Sequence, residues 1–202
     1  MLKYFLYLVL IIVCVSIFHN LRVAYKNQKE MAQFSKEQVL SEKKFGKTLV
    51  IYYSMTGKTK DIAQRIQKLT NADVYEIKTK ENFSIKSFLT HAQIIQQIRN
   101  KDYPPLIEDF PKAENYDYIF VGAPVWWYTV ATPALGFLQK FDFKNKKVIP
   151  FSTQGSNYGT FFEDFEKAAQ NATLLKGEAF NNLSKKYDYN VDNKIKLWLN
   201  SL

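Results

Sequence analysis

Histidine and cysteine are almost missing from this chain of 202 residues; His19, His91 and Cys14 are the whole supply. The shortage excludes a good deal of chemistry. A disulfide framework needs paired cysteines and a structural zinc site needs several Cys or His ligands, so neither can be assembled. Cys14 lies inside an apolar run and says nothing of redox compartment. A Ser-His-Asp or Cys-His device would have to use His91, which sits in the polar helical stretch Thr90-His91-Ala92-Gln93 with no motif around it. Demanding chemistry would therefore fall to an organic cofactor.

Also missing is any Lys/Arg cluster interleaved with aromatics, so no nucleic-acid partner is expected, although Lys and Arg number 28 against 19 Asp and Glu. Residues 1–45 hold seven basic and three acidic side chains, so +4 of the formal net charge of +9 belongs to the tail and +5 to the remainder. Hydrophobic residues at 47% and charged residues at 23% are near globular averages, which excludes a disordered chain and a polytopic membrane protein. The length suits one well-buried domain plus a tail. Aromatics, at 16%, are the surplus, and they supply stacking surface.

The tail opens with an uncharged run, Tyr4 to Phe18, whose apolar character Leu21, Val23 and Ala24 extend. Length alone does not separate a spanning helix of about 20 residues from the core of a signal peptide. No small-x-small cleavage site follows, since Arg22-Val23-Ala24 puts arginine where a small residue is needed. Bulky Val13 argues against a lipoprotein box at Cys14. Residues 1–25 are therefore expected to be an uncleaved membrane anchor. Arg22, Lys26, Lys29 and Lys36 follow the run while only Lys3 and the α-amine precede it, which places the soluble domain in the cytoplasm. Residues 26–45, rich in Lys, Gln and Glu, are expected to form a charged linker or stalk, and residues 46–202 the domain.

Within the domain, Lys47 to Tyr53 is apolar on both faces, as a central parallel strand covered on two sides should be. Strands are also expected at Ala72–Ile77, Tyr116–Gly122, Lys147–Phe151 and, more weakly, Leu174–Phe180. Helical spacing marks Lys58–Leu69, Ile85–Arg99 (with Phe88, Leu89, Ala92, Ile95 and Ile98 inward), Pro133–Lys140, Thr160–Gln170 and Asp192–Leu202. Strands alternating with helices predict a parallel α/β sheet covered on both faces. In such a sheet ligands bind beyond the carboxyl ends of the strands, where the strand order switches.

Three loops fall there. Ser54-Met55-Thr56-Gly57-Lys58-Thr59 sets three hydroxyls and a glycine at a helix start, where exposed N–H groups attract a phosphate. An ordinary helix cap accounts for one or two of those hydroxyls and not for three. Gly57-Lys58-Thr59 also imitates the end of a Walker A loop, but the earlier glycine that motif requires falls at Tyr52. The second loop, Pro124-Val125-Trp126-Trp127-Tyr128, is aromatic, and three consecutive rings cannot all face one core. The third is Ser152-Thr153-Gln154-Gly155-Ser156-Asn157-Tyr158-Gly159.

The hexad Ser54–Thr59 resembles the Ser/Thr-x-Thr-Gly-x-Thr phosphate loop of flavodoxins. Gly122-Ala123-Pro124-Val125-Trp126-Trp127 resembles the loop after the third strand in the branch described as flavodoxin or NAD(P)H-dependent oxidoreductase. The likeness runs from Lys47 to Leu202. It implies a flavodoxin-like three-layer sandwich, a five-stranded parallel sheet in order 2-1-3-4-5, non-covalent FMN and electron transfer through the flavin. Carried over by position, Ser54, Met55, Thr56, Gly57, Lys58 and Thr59 form the phosphate turn, and Pro124, Val125, Trp126, Trp127 and Tyr128 one wall of the ring site. Thr153, Gln154, Gly155, Ser156 and Gly159 belong to the opposite wall. The implied mechanism has no acid-base residue. The domain is basic where many electron-shuttle flavodoxins are acidic, and the loop Ala123–Tyr128 has no glycine. A redox partner protein and a nicotinamide nucleotide thus both stand as partners. The alternative from another class is a membrane-anchored binding or scaffold domain that kept the fold and lost the flavin.

Overall fold

A computed structural model of the chain describes residues 2–35, 40, 44–80 and 88–202. It divides into two compact units, Met1–Val39 with Leu183–Lys194, and Leu40–Asn182 with Ile195–Leu202.

The first unit is built on α1 (Leu2–Ala32), 31 residues long. The helix outruns the apolar stretch because Lys26 to Ala32 holds good helix formers and no Gly or Pro. At ~1.5 Å per residue it measures about 45 Å, against the ~30 Å hydrocarbon core of a bilayer. From Lys3 to Ala32 it is long and apolar enough to cross a membrane, and its apolar window is fully exposed. Its far end is held. Met31 is buried, and α6 (Asp188–Asn200), whose first turns belong to this unit, reaches the Met31 carbonyl through Asn190 and, just past the helix, the Phe34 carbonyl through Asn193. Residues 36–39 and 41–43 of the expected linker lie outside the described residues.

The second unit is a doubly wound sheet. Its parallel strands are β1 (Thr48–Tyr52), β2 (Asp73–Glu76), β3 (Tyr118–Trp126), β5 (Lys147–Gln154), β6 (Thr173–Leu174) and β7 (Glu178–Asn181), and two-residue β4 (Thr129–Val130) folds back antiparallel on β3. The path is β2-β1-β3-β5, ending on β6 and β7 set end to end along β5. That is the expected order with two changes: a hairpin strand after the third strand, and a fifth strand broken in two.

The break has a local cause. Val148 O accepts from Leu175 N and Gln154 O from Asn182 N, so even-numbered positions of β5 face the edge strand. At Pro150 that side has no N–H to give, and the ladder lapses there. From the pair Val148–Leu174 to the pair Phe151–Glu178, the edge strand uses one residue more than β5, which is a bulge.

Alternation splits the core. Leu49, Ile51, Ile119, Val121 and Val148 pack with Phe137 and Leu138 of α4 (Thr132–Lys140) and with Phe161 and Phe165 of α5 (Phe161–Ala168). On the other face Val50, Phe120, Ile149 and Phe151 meet the helices that supply Ile62, Ala63 and Ile66 from α2 (Lys58–Thr70), and Ile195, Trp198 and Leu199 from the end of α6. The rings of Phe120 and Trp198 lie edge to face, 5.7 Å apart.

The helix expected over residues 85–99 is α3 (Phe88–Asn100); residues 85–87 and the side chains of Phe88 and Leu89 are outside the described set. Its buried stripe is Thr90, Ile94 and Gln97, while Ala92 and Ile95 are exposed. The expected face was thus rotated. Thr132, fully buried at the start of α4, needs an acceptor, and its Oγ1 donates a hydrogen bond to Gln97 Oε1 at 2.7 Å.

Candidate functional site

β1, β3 and β5 end together, and each is followed by one of the three loops. The first, Ser54–Thr59, turns through Gly57 at φ 84°, a conformation that glycine adopts without strain, and leads into α2. Asp61 N–H makes the first helical bond, to Gly57 O at 2.9 Å, so the amides ahead of it stand outside the helical ladder. Thr56, Gly57 and Lys58 are exposed and Met55 half-buried, whereas Thr59 is buried and shares a 2.8 Å hydroxyl bond with Thr153 of β5. Thr59 therefore braces the turn. Ser54 Oγ is enclosed and, among the described residues, is the side-chain atom left buried without a hydrogen-bond partner. A buried hydroxyl without a partner costs the fold ~1–3 kcal/mol, so it calls for a ligand atom.

The aromatic loop is a hairpin. Val125 pairs with Val130 and Trp126 with Thr129, and the two residues between, Trp127 and Tyr128, have φ 49° and 66°. Two consecutive left-handed residues make a type I′ turn, the geometry that normally selects Asn-Gly. Here it is built from two bulky aromatics, a strained choice of the kind that collects at functional sites. Trp127 and Tyr128 are 52% and 64% exposed, while Trp126 lies edge to face against Tyr53 at 5.6 Å. Asp164 clamps the hairpin to α5: its carboxylate accepts from Thr129 Oγ1 and Thr160 Oγ1, each at 2.6 Å, and Thr160 N–H donates to Tyr128 O at 2.8 Å. Replacing Trp127-Tyr128 by Asn-Gly is expected to raise the melting temperature by about 2–4 °C, through relief of ~1 kcal/mol of turn strain. A thermal melt that does not rise would show that the turn is unstrained.

In the third loop, Gln154 is turned away from the others. Its amide is buried, accepts from Ser152 Oγ at 2.9 Å and donates to Asn181 Oδ1 at 3.2 Å, which ties β5 to the edge strand. Gly155 is open, Ser156 is half-buried, and Asn157 Oδ1 accepts from Gly159 N–H at 2.7 Å. Gly159, at φ 56°, backs onto Tyr128; any side chain there would overlap the Tyr128 carbonyl. The structure thus brings Ser54–Thr59 to Thr153, and Tyr128 to Gly159. Pro124 pairs in register with Thr153 between the two groups.

Two of the cavities among the described residues border Met55 at this edge. One, about 400 Å³, is lined by Met55, Val125, Trp126 and Trp127 together with Thr90, His91 and Ile94 of α3. The other, about 390 Å³, joins Tyr53, Ser54 and Met55 to Ile77, Lys78, Thr79 and Ile107. His91, set aside above as a catalytic base, lines the first cavity, and Asp164 carries no local motif that marks it in the sequence. Lys78 and Thr79 were within reach of it, because they follow the second strand at its carboxyl end. Burial pushes the Tyr53 phenol up to about 12. An unfolded chain ionises its tyrosines near pH ~10, so the stability gained from keeping Tyr53 neutral is intact below that pH and lost as pH rises to about 12. A part of the tyrosinate absorbance should accordingly appear only with unfolding in that window, and complete ionisation of every tyrosine in a protein that is still folded would contradict the burial.

An open parallel sheet with a hydroxyl-bearing turn and an aromatic hairpin at its carboxyl edge defines a doubly wound α/β protein with a ligand site at the strand ends. The family model described as flavodoxin matches residues 47–201, and the chain belongs to that family. Among solved structures, it is similar to the flavoprotein of Lactobacillus acidophilus NCFM in complex with FMN, at 29% identity over 66% of this chain and 92% of that one, with a TM-score of 0.61. A candidate flavoprotein from Bacteroides uniformis ATCC 8492 is 27% identical over 78% of this chain and 99% of the other, with a TM-score of 0.62. Another, from Bacteroides eggerthii DSM 20697, shares the fold at 22% identity and a TM-score of 0.66, over 77% of this chain and 96% of that one. No curated protein matches the chain.

Proposed function

We propose that this protein binds FMN without a covalent bond and transfers electrons through it, held at a membrane by α1 with its flavodoxin-like domain on the cytoplasmic side. The observation that carries the reading is the turn after β1, where an enclosed Ser54 hydroxyl without a partner stands beside a helix start. That donor set suits a dianionic phosphate ester, and Ser54–Thr59 contains no carboxylate to oppose it. The FMN complex of the Lactobacillus relative supports the same ligand.

Ser54, Thr56, Lys58 and the turn amides would hold the phosphate, with Thr59 and Thr153 bracing them. Val125, Trp126, Trp127 and Tyr128 would offer the ring an aromatic wall, and Gly155 and Ser156 the polar side. When bound, FMN would supply the electron-accepting and electron-donating ring. The chain's own part is to grip the ester, exclude water with the hairpin, and set the polarity around the ring through buried aromatics. Electron carrier and NAD(P)H-dependent oxidoreductase are the two forms of this activity, and the His91-lined cavity offers a second ligand room beside Trp126 and Trp127.

The full chain, solubilised in detergent and incubated with FMN, should emerge from gel filtration with stoichiometric flavin absorbance. Anaerobic mixing with NADH or NADPH then divides the two forms: rapid bleaching marks an oxidoreductase, and bleaching by dithionite alone a carrier. A colourless protein after reconstitution would sink both and leave the binding or scaffold domain.

A further inference from the structure

The end of α1 and the turn after it are held by residues 159 positions later in the chain: Asn190 Nδ2 donates to Met31 O at 2.8 Å and Asn193 Nδ2 to Phe34 O at 3.0 Å. The two contacts advance in step, three residues on each side. Met31 lies in the last turn of α1 and Phe34 two residues past its end, so α6 runs the way the chain continues beyond α1, and the residues before Asn190 lie back toward that helix. Lys194 is consumed by this joint, with its ammonium 2.7 Å from Glu30 and over the Phe34 ring at 5.9 Å. Lys185 and Lys186, on the short 3₁₀ turn Lys185–Tyr187, are exposed. So are Arg22, Lys26 and Lys29 of α1, together with Tyr25 at 69% and Tyr189 at 50%.

Reach decides whether these groups share one layer. Met31 stands nine residues beyond Arg22, about 14 Å along the helix. Stepping back from Asn190 to Lys185 through helical and 3₁₀ turns recovers about 9 Å of that height. The headgroup zone is ~5–7 Å thick on each side of the core, and a lysine side chain spans the remaining distance.

We propose that Leu183–Tyr189 is a second membrane contact, an interfacial strap lying on an anionic phospholipid leaflet beside the anchor, with Lys185 and Lys186 on headgroup phosphates and Tyr187 and Tyr189 at headgroup depth. The inference rests on the reading of α1 as a membrane anchor. Lysines at an anionic surface and tyrosines at the membrane–water interface are each favoured there, and Asp188, half-buried, is the acidic group that opposes them. A lone anchor sets depth and leaves tilt free, whereas a strap clipped to its stalk restricts both.

The test uses the full chain in lipid nanodiscs. A nitroxide is placed at Ser184→Cys in a Cys14→Ser background, which removes the competing thiol. In discs containing anionic lipid, collisions of the label with an aqueous nickel chelate should fall several-fold and collisions with lipid-dissolved oxygen should rise, relative to discs of zwitterionic lipid alone. The double change Lys185→Glu, Lys186→Glu should weaken docking by about thirtyfold or more and erase that difference. Its targets are exposed, so folding is spared. Equal, water-like accessibility in both disc types would overturn the strap while leaving the anchor standing. Chain that elutes free of lipid would overturn the anchor itself, and with it the strap.

Discussion

Thr56→Glu is expected to raise the dissociation constant for FMN by about a hundredfold or more, with the melting temperature of the apoprotein within about 1 °C of the parent. Thr56 is exposed in the turn after β1, so its side chain holds no part of the core. The new carboxylate would stand against a phosphate dianion. At ~4 Å and an effective dielectric near 20, two unit charges repel by ~4 kcal/mol, and salt at an open site trims this to ~3 kcal/mol. Thr56→Val is the milder companion; it removes one charge-assisted hydrogen bond and should cost roughly tenfold. Fluorescence quenching of FMN measures both. An unchanged dissociation constant in the glutamate variant, with the protein folded, would show that the phosphate lies elsewhere.

Gly122→Ala should destabilise the domain by about 3 kcal/mol or more and lower its melting temperature by about 10 °C. Gly122 lies mid-sheet in β3, in register with Phe151 of β5, and the Phe151 ring lies across it where a Cβ would have to be. The ring is completely buried and cannot swing aside without opening the layer beneath α2 and α6. Phe151→Leu alone leaves a void; combined with Gly122→Ala it should regain part of the loss, because the added methyl fills the space the ring vacates. Thermal melts of both single variants and the double complete the cycle. Simple additivity would mean that the two side chains do not compete for that space.

The central strand and the alternation of strands and helices were legible residue by residue. Thr48–Tyr52 is apolar on both faces, and a strand with that pattern has nowhere to sit except between two helical layers. Ser54–Thr59 was legible because its chemistry is contiguous. The errors came where neighbours far off in the chain decide. Ile94 and Ile95 are adjacent, and the pattern of α3 accepted either face; the buried hydroxyl of Thr132, reached through Gln97, chose one. Nothing around Pro150 signalled that the edge strand opposite would break, since the missing N–H matters only once the pairing is known.

On its own, then, local pattern determined the α/β class, the long apolar helix, the strand core and the hydroxyl-bearing turn that opens a helix. Each of these depends on periodicity or on residues within one loop, and short-range sterics and hydrogen bonding suffice for them. Tertiary structure alone decided which hydroxyl of the turn is left without a partner, that Trp127 and Tyr128 close a type I′ hairpin, that Gln154 faces the edge strand, and that the start of the C-terminal helix caps α1. All four turn on pairings between distant segments. Such pairings depend on register and on competition for buried hydrogen-bond partners, quantities that exist only after the chain has closed on itself.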